Sequence, residues 1–330
     1  MLNTSDPDDF NRFGRRSTLR AGLAAMAAVA MASQAHANDE NSGRANKTSG
    51  GTGLPVSQMD DILQAQGKSN KNVVGYSFAR TDLHASLPGG INVVPAELLS
   101  GDLYFQSIGN QKAIMNADFC LTAEETNKFI DALLANGLMV QAFHQHLADI
   151  TPMAWFIHVR GQNDPITLAK AVASAIQVTA TPLPQPKPPA DNATPFDKNH
   201  LASILGGDPT VHAHGVLEIG VDRADRFTLA GQQVSPDLNI AINVYFQPLD
   251  QNGNRALAVP DFGMVAQEIN PVLRKMRSQN WRVGCLYNQE TDENPQLFWS
   301  HMWKTGTPAQ LAREIRDGLG LCNMQFKSRS

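Results

Sequence analysis

The sequence predicts an α+β fold made by tandem duplication: two divergent copies of one α/β repeat, each a mainly antiparallel sheet with helices on one face, related by a pseudo-two-fold axis. Three observations predict it. First, the run Thr181-Pro182-Leu183-Pro184-Gln185-Pro186-Lys187-Pro188-Pro189 can form neither a helix nor a central strand, so it reads as an extended spacer. Second, the segments on either side of it match each other. At an offset of 143 positions, residues 118–172 meet residues 261–315 with 12 identities in 55 ungapped pairs, where composition alone would give about three or four. The identities include Asp118/Asp261, Phe119/Phe262, Glu125/Glu268, Asn127/Asn270, Asp149/Asp292, Pro152/Pro295 and His158/His301. Shared αβ periodicity would not keep Pro and His in step, so one duplication accounts for them all. Third, in each copy strand-like runs are followed by intermittent helical stretches, the order expected of an α+β layer.

The elements follow in order. A short helix opens each copy, at Met59–Gln66 and Asp197–Leu205. In copy one, strands are expected at Val73–Ala79 and His84–Leu87, then as a pair through Leu103–Ile108 and Ala113–Cys120. At an offset of 141, Tyr104-Phe105-Gln106 meets Tyr245-Phe246-Gln247, which places this stretch inside the repeat. A helix is expected over Ala123–Ala135. Thr122 and Glu125 have the spacing of a capping box, and Asn136-Gly137 is its stop. A hairpin then pairs Met139–His146 with Met153–Arg160 around a turn near Asp149–Thr151. The unit closes with a helix over Pro165–Ile176, with Pro in its first turn. Trp155, Phe156, Phe298, Trp299 and Trp303 make the hairpin strands aromatic and read as core, although one alternate face could stack on a sugar ring.

The rest of the chain bounds the class. Arg15-Arg16 precede a mildly apolar, alanine-rich run from Ala21 to Ala32 that ends at Ala35-His36-Ala37, so residues 1–37 read as a twin-arginine signal peptide cleaved after Ala37. The expected location is periplasmic or secreted. Residues 38–53 are polar and expected to be disordered. Repeat one then covers 54–180, the linker 181–196, repeat two 197–323, and a tail 324–330. Residues 1–37 hold four of the 27 Lys and Arg and three of the 31 Asp and Glu, which leaves 23 basic against 28 acidic residues. No basic excess steers the chain to nucleic acid, and no later segment has the length and hydropathy of a transmembrane helix. Cys120, Cys285 and Cys322 lack metal-motif spacing, and an odd number leaves at least one thiol free. Cys120 and Cys285 read as small buried hydrophobes. No phosphate loop, dinucleotide fingerprint or zinc-protease helix motif is present, so no nucleotide cofactor is expected. Gly75-Tyr76-Ser77-Phe78-Ala79 falls one residue short of a nucleophile elbow and is followed by strand rather than helix.

The chemistry concentrates on histidine. His144 and His146 are two apart on an expected strand, so both imidazoles leave one face. If paired residue numbers in the hairpin sum to about 300, His158 lies opposite Ala142 and shares that face; a slip of one residue would send it to the other. Three histidines in this arrangement suit a tetrahedral zinc or a copper ion with one open position. Glu125 or Asp149 could supply a fourth ligand, hold an imidazole from behind or act as the catalytic base for a metal-bound hydroxide. His212-Ala213-His214 is expected to open the first strand of copy two; His212 and His214 are possible further ligands that could reach across from there, or they form an exposed edge. Two bland readings stand beside this: a metal-free polar ligand pocket, and purely structural histidines. His158/His301 and Pro152/Pro295 are retained as a repeat pair although the His-x-His positions become Tyr287 and Gln289, which points to a structural role for at least that histidine.

The motifs Leu121-Thr122-Ala123-Glu124-Glu125-Thr126-Asn127, Phe143-His144-Gln145-His146-Leu147, Pro152 and His158, with Glu268-Ile269-Asn270-Pro271-Val272, Pro295 and His301 in the second copy, resemble the LppY/LpqO family of bacterial exported proteins. The resemblance spans roughly residues 54–323 and implies a two-repeat domain of unknown function. Two functions are expected in competition. One is a metal centre used for hydrolysis or metal handling. The other is a non-catalytic envelope module that binds a small molecule, a cell-wall glycan or a peptide between the copies.

Overall fold

The structure, a computed structural model, describes residues 52–187 and 192–328. The expected signal peptide and nearly all of the polar segment, residues 1–51, lie outside the described residues, as do 188–191 of the linker. Repeat one runs α1 (Val56–Leu63), β1 (Lys68–Asn70), β2 (Val73–Ala79), β3 (Ser86–Leu87), β4 (Ile91–Asn92), α2 (Pro95–Leu98), β5 (Ser100–Gly109), β6 (Lys112–Leu121), α3 (Ala123–Ala135), β7 (Met139–His144), β8 (Trp155–Asn163) and α4 (Pro165–Ile176). Repeat two runs α5 (Lys198–Leu205), β9 (Asp208–Val211), β10 (Leu217–Val221), β11 (Phe227–Leu229), β12 (Gln232–Val234), β13 (Ile242–Pro248), β14 (Ala256–Met264), α6 (Ala266–Ser278), β15 (Arg282–Val283), β16 (Glu293–Asn294), β17 (Phe298–Gly306) and α7 (Pro308–Leu319).

Each repeat folds one six-stranded antiparallel sheet, in the orders β1-β2-β5-β6-β8-β7 and β15-β17-β14-β13-β10-β9. The side-chain period of two decides what each face meets. In repeat one, Val74, Tyr76, Phe105, Met115, Ala117, Phe119, Ile157 and Val159 point outward and pack under α1, α3 and α4. Between them along the same strands lie Asn116, Asp118, His158 and Arg160, all buried although polar. These face the second sheet: the ring of His146 stacks on that of His301 with centroids 3.8 Å apart. The layers are therefore helices, sheet, sheet, helices, with two apolar cores outside and a polar seam inside.

The seam is closed at two places by exchanged hairpins. The β3–β4 hairpin of repeat one packs Ala85, Leu87 and Val93 against Leu257, Val259 and Trp303 of the second sheet. The β11–β12 hairpin returns the contact, setting Phe227, Leu229 and Val234 against Val73 and Ile114. Two glutamines at equivalent positions pin them. Gln106 donates to the carbonyl of Gln233 and accepts from the N–H of Ser235; Gln247 donates to the carbonyl of Asn92 and accepts from the N–H of Val94. This reciprocity is what a pseudo-two-fold interface requires.

Most expected elements stand where local chemistry put them. α3 begins as expected, with the N–H of Thr122 donating to Glu125 at 2.8 Å. α4 is capped by Asp164, which accepts from the N–H of Thr167. Three placements differ. α1 starts at Val56, earlier than Met59, because Val56 falls on the same buried face as Met59 and Leu63, and it ends at Gln64 in the left-handed region (φ 52°). His212-Ala213-His214 does not open a strand: Ala213–Gly215 form a 3₁₀ turn between β9 and β10. β7 stops at His144, so His146 sits in the loop that follows it. Of the expected linker, Gln185 is held to repeat one by its N–H on the carbonyl of Gln64 and its side chain on Ala79.

A buried arginine anchors each repeat to its own capping glutamate. Arg80 bonds both carboxylate oxygens of Glu125, at 2.9 and 3.1 Å, the carboxylate of Asp82 and the carbonyl of Cys120. Arg223 does the same with Glu268, Asp225 and the carbonyl of Gly263. Each glutamate also accepts a backbone N–H from just beyond the closing helix of its repeat, Ala180 or Asn323.

Candidate metal centre

The three histidines converge. Ala142 pairs with His158 in the β7–β8 ladder, and Phe143 with Ile157, so the register is the one that puts His158 on the face of His144. A bulge between Val140 and Ala142 sets that register from there to the strand end. The ligating atoms of His144, His146 and His158 all lie within 4.8 Å of one another. Nε2 of His144 is 2.9 Å from Nε2 of His158. Nδ1 of His144 faces the carbonyl of Gln145 at 3.1 Å; since a carbonyl only accepts, that nitrogen carries the proton and Nε2 the lone pair. Two nitrogens bound to one zinc at tetrahedral angles stand about 3.3 Å apart, so an ion needs this pair to open by only about 0.4 Å.

Burial keeps these imidazoles uncharged. It pushes the His144 imidazole down to about 4 and holds His146, His158 and His301 well below the usual histidine range. They are neutral at pH 7, and each keeps a lone pair. Nε2 of His146 is buried without a hydrogen-bond partner. Such an orphaned atom is costly unless something satisfies it. Asp118, beside His146 at 4.0 Å, has its carboxyl pushed up to about 7 by burial. Burial raises Asp261 well above the carboxylate range, and the Asp118 charge raises it further.

The second repeat enters the same centre. The Tyr287 ring stacks on His144 at 3.4 Å, and His301 stacks on His146. Cys285, expected to be a plain buried hydrophobe, places its sulfur 3.3 Å from Nδ1 of His301; burial raises its thiol to about 12. The three cysteines are free thiols. Repeat two is therefore altered at the His-x-His positions but still builds the site. The signal was present in the sequence. Asp118/Asp261 and His158/His301 are retained pairs of the duplication, and the ladders place each Asp directly across from its His.

The other nominated residues lie elsewhere. Glu125 is no base or fourth ligand, because Arg80 and the N–H groups of Thr122 and Ala180 use its carboxylate. Asp149 is bonded at 2.7 Å to Arg282 of repeat two, and that guanidinium holds its carboxyl below the usual range. His212 bonds Glu218 at 2.6 Å, and His212 and His214 line a separate cavity of about 670 Å³ between the sheets. That cavity also meets Tyr104, Tyr245 and Asp102, and the N–H of Asp102 donates to the Asp118 carboxylate.

Close approach of two backbone segments, one from each repeat, fixes His146. Gly284 of repeat two lies so near that a methyl group there would collide with the carbonyl oxygen of His146. Gly284→Ala is expected to cost about 1–3 kcal/mol through overpacking and to weaken metal uptake, because the loop carrying His146 must yield. Unfolding midpoints and metal content of the variant check this; unchanged uptake would show that the loop has slack.

The sequence matches the family described as Domain of Unknown Function (DUF1259) twice, over residues 57–178 and 199–320. The chain belongs to the DUF1259 family. Its two matches coincide with the two sheets and their helices, so the family unit is one repeat. No curated protein matches the chain. Among solved structures, a trimeric bacterial microcompartment shell protein PduB is similar over 78% of this chain and 95% of that one, at 11% identity and a TM-score of 0.20, too low to carry an argument. Among the described residues of this DUF1259 protein, no helix is long and apolar enough to cross a membrane.

Proposed function

We propose that this is an exported, periplasmic or secreted metal-binding protein. Its centre, His144, His146 and His158, holds a zinc or copper ion for metal handling or hydrolysis. One observation carries the reading: three imidazoles kept neutral by burial, with ligating atoms within 4.8 Å of one another. Export is supported by Arg15-Arg16 and Ala35-His36-Ala37, and by the motif likeness to the LppY/LpqO family. For hydrolysis the base would be Asp118, the carboxylate beside His146, in place of Glu125 or Asp149.

The cavity favours a second reading, a non-catalytic module that binds a cell-wall glycan or peptide. Tyr104 and Tyr245, equivalent residues of the two repeats, both line its walls and offer aromatic faces to a sugar ring. Elemental analysis of protein purified from its native compartment separates the two. At least one zinc or copper per chain, with at least one ion fewer in a His144→Ala/His146→Ala variant, is the expected result. Metal-free protein that binds a peptidoglycan fragment equally well with and without those substitutions would replace the first reading by the second.

A further inference from the structure

We infer that the centre holds two cations, the second one between Asp261 and His301 of repeat two as the pseudo-two-fold mate of the first. The inference rests on the metal reading above and extends it to a two-ion site for divalent metals of the zinc type.

The argument begins with the duplication. A site lying off a two-fold axis has an equivalent on the other side. Asp118 and His158 face each other across β6 and β8, and Asp261 and His301 do so across β14 and β17. Both pairs point into the seam, where the rings of His146 and His301 stack. The chain has thus kept one Asp–His pair per repeat in a common buried space, and repeat one has added His144 and His146.

The geometry fits two ions. Nε2 of His301 is 3.5 Å from Oδ2 of Asp261. Nitrogen and oxygen ligands about 2.0–2.1 Å from a zinc at tetrahedral angles stand about 3.4 Å apart. His301 is already turned for this role: Nδ1 faces the Cys285 sulfur, which leaves Nε2 toward the carboxylate. A partner behind the ring is how metal-bound histidines are oriented. The His146 and His301 rings are 17° from parallel with centroids 3.8 Å apart. Stacked face to face at that distance, the two rings leave room for an ion on each. Metal pairs in two-ion sites lie about 3.5–4 Å apart.

Charge points the same way. Asp118 and Asp261 are two carboxylates in one enclosed space, and no lysine or arginine pairs with either among the described residues. Oδ1 of Asp261 is buried with no hydrogen-bond partner, as is Nε2 of His146. One ion on the three histidines would leave Asp261 and His301 without a ligand. Two ions use both halves. Nitrogen and carboxylate donors in this mixture suit zinc better than the softer, thiolate-rich sites of monovalent copper.

The test is stoichiometry. The full chain is stripped with a chelator, dialysed against zinc, freed of loose metal and analysed. Two zinc ions per chain are expected, falling to one in Asp261→Asn/His301→Ala. Cobalt loading of the unsubstituted chain gives a second readout that needs no variant: two neighbouring cobalt ions couple magnetically, so the second equivalent should alter the resonance signal of the first. One ion per chain in the unsubstituted protein, or two ions retained by Asp261→Asn/His301→Ala, overturns the second position and leaves the three-histidine site standing. No bound metal at all removes both.

Discussion

Arg80→Met is expected to destabilise the protein by about 3–5 kcal/mol, because it leaves a buried carboxylate without its counter-charge. Arg80 is 1% exposed and makes paired bonds to Glu125 and Asp82 and one to the carbonyl of Cys120. Asp82 is open enough for water to replace the lost partner; Glu125, 9% exposed, is not. Glu125 also receives the N–H groups of Thr122 and Ala180, so one carboxylate ties the start of α3 to the segment after α4. The loss therefore combines an orphaned charge with loosening of the two helices over the first sheet. The double variant Arg80→Met/Glu125→Gln should recover part of it, since a neutral amide keeps an acceptor for one N–H without needing a cation. Arg223→Met with Glu268→Gln should behave alike in repeat two, where the contacts repeat. Denaturant midpoints of the single and double variants decide the matter. A single-variant loss below about 1 kcal/mol would mean that water reaches Glu125 and that the pair contributes as little as a surface bridge.

Metal removal is expected to lower the melting temperature by roughly 8–16 °C. Free zinc at a thousand times its dissociation constant stabilises the folded state by about 4 kcal/mol, and each kcal/mol moves the midpoint of a chain this size by about 2–4 °C. His144→Ala/His146→Ala should lose at least half of that zinc-dependent shift. The effect should also depend on pH. The imidazoles, pushed below their usual range, are already neutral near pH 7 and add no proton competition there. The Asp118 carboxyl, pushed up to about 7, holds its proton below that pH and loses it above. A cation on the neighbouring imidazoles favours the ionised carboxylate, so its binding is opposed by that proton at pH 6 and not at pH 8, and the zinc-induced shift should be larger at pH 8. Calorimetric scans at both pH values, with zinc or chelator, measure it. A midpoint unmoved by zinc at either pH would argue that the histidines serve packing alone.

Much of the fold is legible in local chemistry. The capping glutamates, the proline-led closing helices and the 143-residue offset each depend on residues close in sequence or on a repeat comparison, and they place α3, α4 and the two-repeat plan. The hairpin register was left open between two settings, and the ladder takes the one with Ala142 opposite His158, which brings His158 to the face of His144. The arginine anchors were readable in principle: Arg80/Arg223 and Asp82/Asp225 keep the same offset, but they lie outside the strongly matching window. Where the local signal was weak, placement moved. His146 left the strand without leaving the centre, and Asp149 turned to Arg282 because opposite charges met across the repeats.

By itself, then, the sequence determined a duplicated α+β chain with three histidines able to meet on one hairpin. Only the tertiary structure decided that the inner sheet faces oppose each other, that exchanged hairpins close the seam, and that His301, Asp261, Cys285 and Tyr287 join the same centre. The reason is physical. Periodicity states which residues share a face, but what that face meets depends on contacts between residues more than a hundred positions apart, and no local propensity encodes those.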